Sequence, residues 1–329
     1  MNAKKWLFPA ATALCLTAAV LSLLLGAVRL SPLQLWQALL DGPSNTAGYI
    51  FWYARLPRTL ACLLSGAALA VAGAVIQAVL SNRLASPGII GVNAGAGLAV
   101  TVCCALGLLS GWAIALSSFA GAMAAVLLVV FTAEKTGASR TTVILGGVAV
   151  NSFLGALSEA LVTLVPEAGV LSGDFRVGGF SSVVPVRLLS AGILICGALI
   201  ILLTLHNDLD VLALGEETAQ SLGMSVKKTR TIFLVLAALL AGASVSFAGL
   251  LGFVGLMVPH AIRSLVGCES RKLLPLCAVG GAGFVTACDL AARLLFLPYE
   301  LPVGILMSVL GGPFFLGLLL KQKGGRTHA

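Results

Sequence analysis

Charged residues are scarce in this chain: Asp, Glu, Lys and Arg make up 10% of its 329 residues, where a soluble domain carries about 25%. The 20 basic and 12 acidic side chains could not cover a soluble globule of this length. Disorder is excluded too, because 59% of the residues are hydrophobic and disordered chains are poor in them. Catalytic motifs are missing. Gly-Lys never occurs as a dipeptide, so no Walker A phosphate loop can form, and there is no H-E-x-x-H, G-x-S-x-G or G-x-G-x-x-G. The eight Cys include no C-x-x-C pair and read as small buried hydrophobes. The three His, at 206, 260 and 328, are far apart in sequence, and His260 follows Pro259 at a helix break. No cofactor, metal site or enzymatic activity is expected, and any energy source is an ion gradient or another subunit.

What the chain does have is long uncharged stretches. Eight of them run for 16 residues or more: 6–28, 59–82, 84–133, 141–158, 188–207, 231–262, 273–288 and 301–320. A helix needs about 20 apolar residues to cross about 30 Å of hydrocarbon. The 50-residue run 84–133 must therefore divide, at Gly107 and Gly111, and the run 231–262 divides at Gly249, Gly252 and Gly255. The expected fold is an all-α membrane protein of one domain with ten transmembrane helices. The spans fall near 7–28, 59–80, 88–107, 112–133, 141–165, 186–205, 231–249, 254–266, 273–296 and 302–320. Strands of a membrane barrel would alternate polar and apolar residues, which these runs do not. The first run, at 23 residues, exceeds the core of a signal peptide and is expected to stay as an uncleaved span.

Lys and Arg set the orientation. With the amino terminus inside, 14 of them, from Lys4 and Lys5 to Arg326, fall on cytoplasmic segments, and 6 fall outside (Arg29, Arg55, Arg58, Arg176, Arg187 and Arg293). Ten spans return the carboxyl terminus to the cytoplasm. The net charge of +8 thus reflects seating in a lipid bilayer. Nucleic-acid binding is not expected, because the basic residues are scattered among short loops.

Three further features stand out. Residues 66–73, G-A-A-L-A-V-A-G, match residues 242–249, G-A-S-V-S-F-A-G, at an offset of 176. The two copies lie in spans two and seven, which run in opposite directions, so the chain is expected to consist of two inverted halves. The segment 206–230 is the longest cytoplasmic connection, and Gly215 and Gly223 can each end a short helix there. It is either a solvated surface helix or a docking element for a cytoplasmic partner. Glu159 is the one acid well inside an apolar segment; it either reaches water in the outer third of the membrane or lines a pathway.

Eight segments in order resemble permease subunits of the FecCD family of ABC importers. They include R-L-P-R-T-L-A at 55–61, N-R-L-A-S-P-G-I-I-G-V at 82–92, A-L-G-E-E-T-A-Q-S-L-G at 213–223, G-F-V-G-L-M-V-P-H-A-I-R at 252–263 and D-L-A-A-R at 289–293. The resemblance implies a ten-helix permease in the bacterial cytoplasmic membrane that works with a cytoplasmic ABC ATPase dimer, an extracytoplasmic substrate-binding protein and a second permease copy. It implies that Leu214, Gly215, Glu216, Glu217 and Gly223 belong to short coupling helices between spans six and seven. Arg55, Arg58 and Arg293 would dock the binding protein. Asn82, Leu84 and Thr141 would form a cytoplasmic gate, and Asn151 and Glu159 would line the pathway. The implied cargo is an iron(III)–siderophore complex, with haem and cobalamin as alternatives. An ion-gradient-driven secondary transporter is the competing class.

Overall fold

The computed structural model describes residues 6–28, 30–135 and 140–324. Lys4, Lys5, Arg29, Arg326 and the carboxyl terminus, all part of the orientation argument, lie outside the described residues. The described chain is helical, with no strand. Its α-helices are α1 (Leu7–Leu24), α2 (Pro32–Asp41), α3 (Thr46–Tyr49), α4 (Leu56–Val79), α5 (Val92–Ala105) and α6 (Gly111–Lys135). There follow α7 (Arg140–Leu164), α8 (Pro166–Leu171), α9 (Gly173–Val177), α10 (Pro185–Thr204) and α11 (His206–Ala213). The last five are α12 (Glu216–Ser221), α13 (Val226–Ala248), α14 (Val254–Val266), α15 (Ser270–Leu294) and α16 (Val303–Gly324).

Seven helical stretches are long and apolar enough to cross a membrane: Leu7–Leu24, Thr46–Val79, Gly111–Ala133, Thr141–Leu164, Pro185–Thr204, Val226–Ala248 and Ser270–Leu294. Three shorter apolar helices, Val92–Ala105, Val254–Val266 and Val303–Gly317, stand where the other three spans were expected. Two of these are cut short by backbone geometry. Pro87–Ile90 forms a 3-10 turn and Gly91 takes φ 97°, so α5 starts late and rises only about 21 Å. Before α14, Gly249 turns the chain at φ 69° and Phe253 holds φ 64°, a region that aromatic side chains rarely enter. The expected span at 59–80 is instead longer: a π-helical turn at Ile50–Arg55 joins α3 to α4. Tyr49 and Tyr53 stack on this extension and stay exposed, as aromatics at a membrane interface do. Beside it α2 begins with a Ser31–Gln34 capping box and exposes Leu33, Trp36 and Leu40.

Helix α4 is the buried centre. In lipid, helices are held by close packing rather than by release of water, so small residues set the contacts. A Cβ on Gly66 would lie 2.2 Å from the Gly281 carbonyl oxygen, and one on Gly73 would lie 1.9 Å from that of Gly255. The backbones of α15 and α14 therefore touch α4 at its two motif glycines. The second copy of the motif behaves differently. Gly242 meets only Phe119 and Ala122 of α6, and Gly249 ends α13 against the Phe175 carbonyl. The copies meet where Ser65 Oγ lies 2.6 Å from Ser244 Oγ in the buried centre. Around the first copy α4 packs on α15 and around the second α13 packs on α6; α5 packs on α6 as α14 does on α15.

Candidate functional site

At one end of the bundle, four helices gather the arginines. Asp289 and Arg293 stand one turn apart on α15, Arg58 in the first turn of α4, and Arg55 at the close of the π-helical turn. The Asp289 carboxylate, 1% exposed, accepts from Arg58 Nη2 at 3.0 Å and pairs with Arg293 Nε at 3.0 Å. Arg293 Nη2 also donates to Ser22 Oγ of α1 at 2.7 Å, and Ser22 shares a 2.9 Å hydrogen bond with Thr59. Arg55 donates to the carbonyls of Leu23, at 2.5 Å, and Val28, where α1 has ended and its last carbonyls need donors. Arg58 Nη1 reaches outward to Glu300 at 2.7 Å.

Arg55, Arg58 and Arg293 were expected to dock a binding protein, and two of the three are buried. Arg55 and Arg293 are only 5% and 4% exposed. A buried carboxylate needs paired, hydrogen-bonded partners, and Asp289 draws two guanidinium groups inward to supply them. Arg58 is shared by two cavities of about 350 and 290 Å³, both also lined by Phe180, Ser181, Val183 and Glu300, and the smaller one is lined by Arg55 and Arg293 too. Sequence reasoning missed Asp289 and Glu300. The i, i+4 spacing of Asp289 and Arg293 is the one available signal, since Arg58 meets Asp289 from 231 residues away.

Two of the candidate gate residues, Asn82 and Leu84, lie on a tight turn after α4. Ser81 takes φ 47°, the Asn82 amide N–H donates to the Gln77 carbonyl at 3.0 Å, and Asn82 Oδ1 accepts from the Leu84 N–H at 2.9 Å. Asn151, expected to line a pathway, ties α7 to the 3-10 turn Pro87–Ile90. Its Nδ2 donates to the carbonyl of Gly88 at 2.8 Å, which also accepts from the Gly91 N–H at 3.3 Å, and to that of Ile89 at 3.1 Å. Gly147 lets α7 approach, because a Cβ there would lie 2.2 Å from the Ile89 carbonyl oxygen. Thr141 is exposed at the start of the same helix. Glu159 is exposed too, and pairs with Arg176 of α9 at 2.9 Å.

At the other end, the long connection folds as α11 and α12. Gly215, at φ 123°, separates them. Gly223, at φ 82°, closes α12 with its N–H on the Gln220 carbonyl while the Met224 N–H bonds to Ala219. Leu209 and Leu212 are fully buried against the bundle, and the Asp210 carboxylate caps α15 by accepting from the Ser270 N–H at 2.9 Å. These contacts fix α11 as part of the fold. Leu214 and Leu222 instead stand 66% and 63% exposed, beside exposed Glu217. The Glu216 carboxylate, still partly exposed, holds Arg230 Nη2 at 2.9 Å.

Residues 14–321 match the FecCD transport family. The chain belongs to that family. It is a permease subunit of an ABC transporter, a multi-pass membrane protein and not itself an enzyme. Among curated relatives, the Fe(3+)-citrate import system permease protein YfmD of Bacillus subtilis (strain 168) is 38% identical over 82% of this chain and 80% of its own length. The hemin transport system permease protein HmuU of Yersinia pestis is 35% identical, covering 92% of each chain. The vitamin B12 import system permease protein BtuC of Salmonella paratyphi A is 38% identical over 97% of this chain and 95% of its own. A solved metal-chelate type ABC transporter in an inward-facing conformation superposes with TM-score 0.85 at 29% identity, covering 95% of this chain and 98% of that one. Among the described residues no group of three or more His, Cys, Asp and Glu could hold a metal ion.

Proposed function

We propose that this permease forms one half of an ATP-driven import pathway for a metal chelate, iron(III)–siderophore first, with haem and cobalamin as the alternatives. The observation that carries the ATP-driven reading is the pair of exposed leucines, Leu214 and Leu222, held by two positive-φ glycines on a folded polar loop. A chain with no phosphate loop of its own needs such a contact to receive force from an ATPase. The named relatives carry Fe(3+)-citrate, hemin and vitamin B12. All three are metal chelates, and that shared chemistry supports the cargo class.

In this reading ten helices cross or enter the membrane, both termini lie in the cytoplasm of a bacterial cell, and α11 and α12 are coupling helices on a cytoplasmic ATPase dimer. A second permease copy, identical or paralogous, faces α7 and α16, which leave Phe153, Leu164, Val309 and Leu316 exposed. The pathway runs between the copies, gated by Asn82, Leu84 and Thr141, with Glu159 on its wall. An extracytoplasmic substrate-binding protein sits over the Arg58–Glu300 cavities, while Arg55 and Arg293 hold that surface from behind.

Two measurements test this. Single Cys at positions 45 and 299 in a Cys-free background should react with an impermeant reagent from outside, and Cys at 137 and 325 should not. Labelling of position 325 in intact spheroplasts refutes the topology. Gly223→Val should lose the co-purifying ATPase and all transport while inserting normally. Normal transport by that variant would favour the gradient-driven class.

A further inference from the structure

Arg176, on the short helix α9, is held by three side chains. Its Nη1 meets Glu159 Oε1 at 2.9 Å, while Nη2 donates to Ser158 Oγ at 2.7 Å and Thr101 Oγ at 3.3 Å. Both hydroxyls are buried. Their protons are accounted for: Thr101 donates to the Gly97 carbonyl at 2.8 Å, so its oxygen accepts, and Ser158 Oγ donates to it at 3.2 Å. Arg176 Nε is buried with no hydrogen-bond partner. One edge of the guanidinium is thus pinned inside the protein, and Nη1 points to a carboxylate whose side chain is 69% exposed.

The surface around Glu159 has two strips. Ser152, Ala156, Glu159 and Thr163 form one exposed row along α7, and Phe153, Leu157, Ala160 and Leu164 form the next. An ionised carboxylate facing lipid is costly, so the first row borders water or protein.

We infer that Arg176 reads the charge of the cargo: a metal chelate with free carboxylates at its rim takes Arg176 Nη1 in place of Glu159. This rests on the reading that α7 lines the pathway. An exposed ion pair contributes little net stability, so exchanging one carboxylate for another is close to even in free energy. The planar guanidinium, already oriented by two hydroxyls, is suited to a carboxylate in a way that a mobile ammonium is not. Glu159 meanwhile repels anions that do not engage Arg176. The site selects ferric citrate or haem, with its propionates, over neutral chelates such as a ferric trihydroxamate or cobalamin.

The test is uptake into proteoliposomes holding the permease with its ATPase and binding protein. The four cargoes are ferric citrate, haemin, ferrichrome and cyanocobalamin. The wild-type complex should carry one of the two anionic chelates. Arg176→Gln should lower that uptake about tenfold, equivalent to about 1.4 kcal/mol, with unchanged ATP hydrolysis in response to the binding protein. Arg176→Lys should be intermediate, and Glu159→Gln should transport at least as well as wild type. The proposal is overturned if the wild type carries neither anionic chelate, or if Arg176→Gln carries one at the wild-type rate. It is overturned equally if Gln and Lys both abolish the ATPase response, which makes Arg176 structural. Glu159→Cys separates the two layers of the argument. No reaction with an impermeant thiol reagent in the assembled complex refutes the pathway reading itself. Reaction, combined with an unaffected Arg176→Gln, refutes only the role of Arg176.

Discussion

The two ends of the α15 helix differ in what they leave to a partner. At the Arg293 end, Arg58, Asp289 and Arg293 pair inside the protein, Arg55 is held by the carbonyls of Leu23 and Val28, and Arg58 reaches outward to Glu300. At the Ser270 end, α11 is packed and capped, yet Leu214 and Leu222 stand open on the loop that follows. Burying charge requires internal partners, because a carboxylate stripped of water and left unpaired is far more costly than an exposed leucine. The first end is therefore rigid before anything binds. The second leaves two leucines uncovered.

Substitutions can break this contrast, and the largest effect is expected at Asp289. Asp289→Asn removes the shared counter-charge of Arg58 and Arg293 and should cost about 3–5 kcal/mol, read as a fall in the thermal midpoint of the detergent-solubilised permease. Glu300→Gln, on the exposed side of the same Arg58, should cost about 0–1 kcal/mol in that assay. Equal losses from the two would mean that Asp289 is not the keystone. Next comes Gly73→Val, which forces α4 away from the Gly255 carbonyl. It should destabilise by about 1–3 kcal/mol and lower the yield of folded protein.

Gly223→Val sharpens the comparison between glycines. No atom lies within 4 Å of a Cβ at Gly223, so the only strain is its φ of 82°. The stability loss should be about 1–3 kcal/mol, confined to the loop, while ATPase co-purification is lost. The smallest folding effect belongs to Leu214→Ser with Leu222→Ser. Thermal stability should move by less than about 0.5 kcal/mol, and the ATPase should still fail to co-purify. A stable double variant that retains its ATPase would show that these leucines are not the contact.

Some of this site was legible in the sequence. Gly215 and Gly223 were expected to end short helices, and they do so at positive φ, because a helix end is settled within a few residues. The division of the run 231–262 at its glycines followed for the same reason. The arginines were a different case. Arg55 looked like a surface cation, but its acceptors are carbonyls 27 and 32 residues earlier. Arg293 finds Ser22 across 271 residues. The Asn151 amide likewise meets the carbonyls of Gly88 and Ile89, 63 and 62 residues earlier.

The sequence by itself determined the solvent, the helical class, the places where helices break and the family. Each of these depends on composition or on runs of neighbouring residues: uncharged length for a membrane helix, glycine for positive φ, motif order for kinship. Tertiary structure alone decided which charges are buried and paired and which motif glycines bring backbones into contact. It also decided which leucines are left exposed. Gly66 and Gly242 hold the same place in a repeated motif, yet only Gly66 lies against another backbone. Whether a side chain is satisfied depends on what the fold brings beside it, and those partners are set by how ten apolar segments pack together.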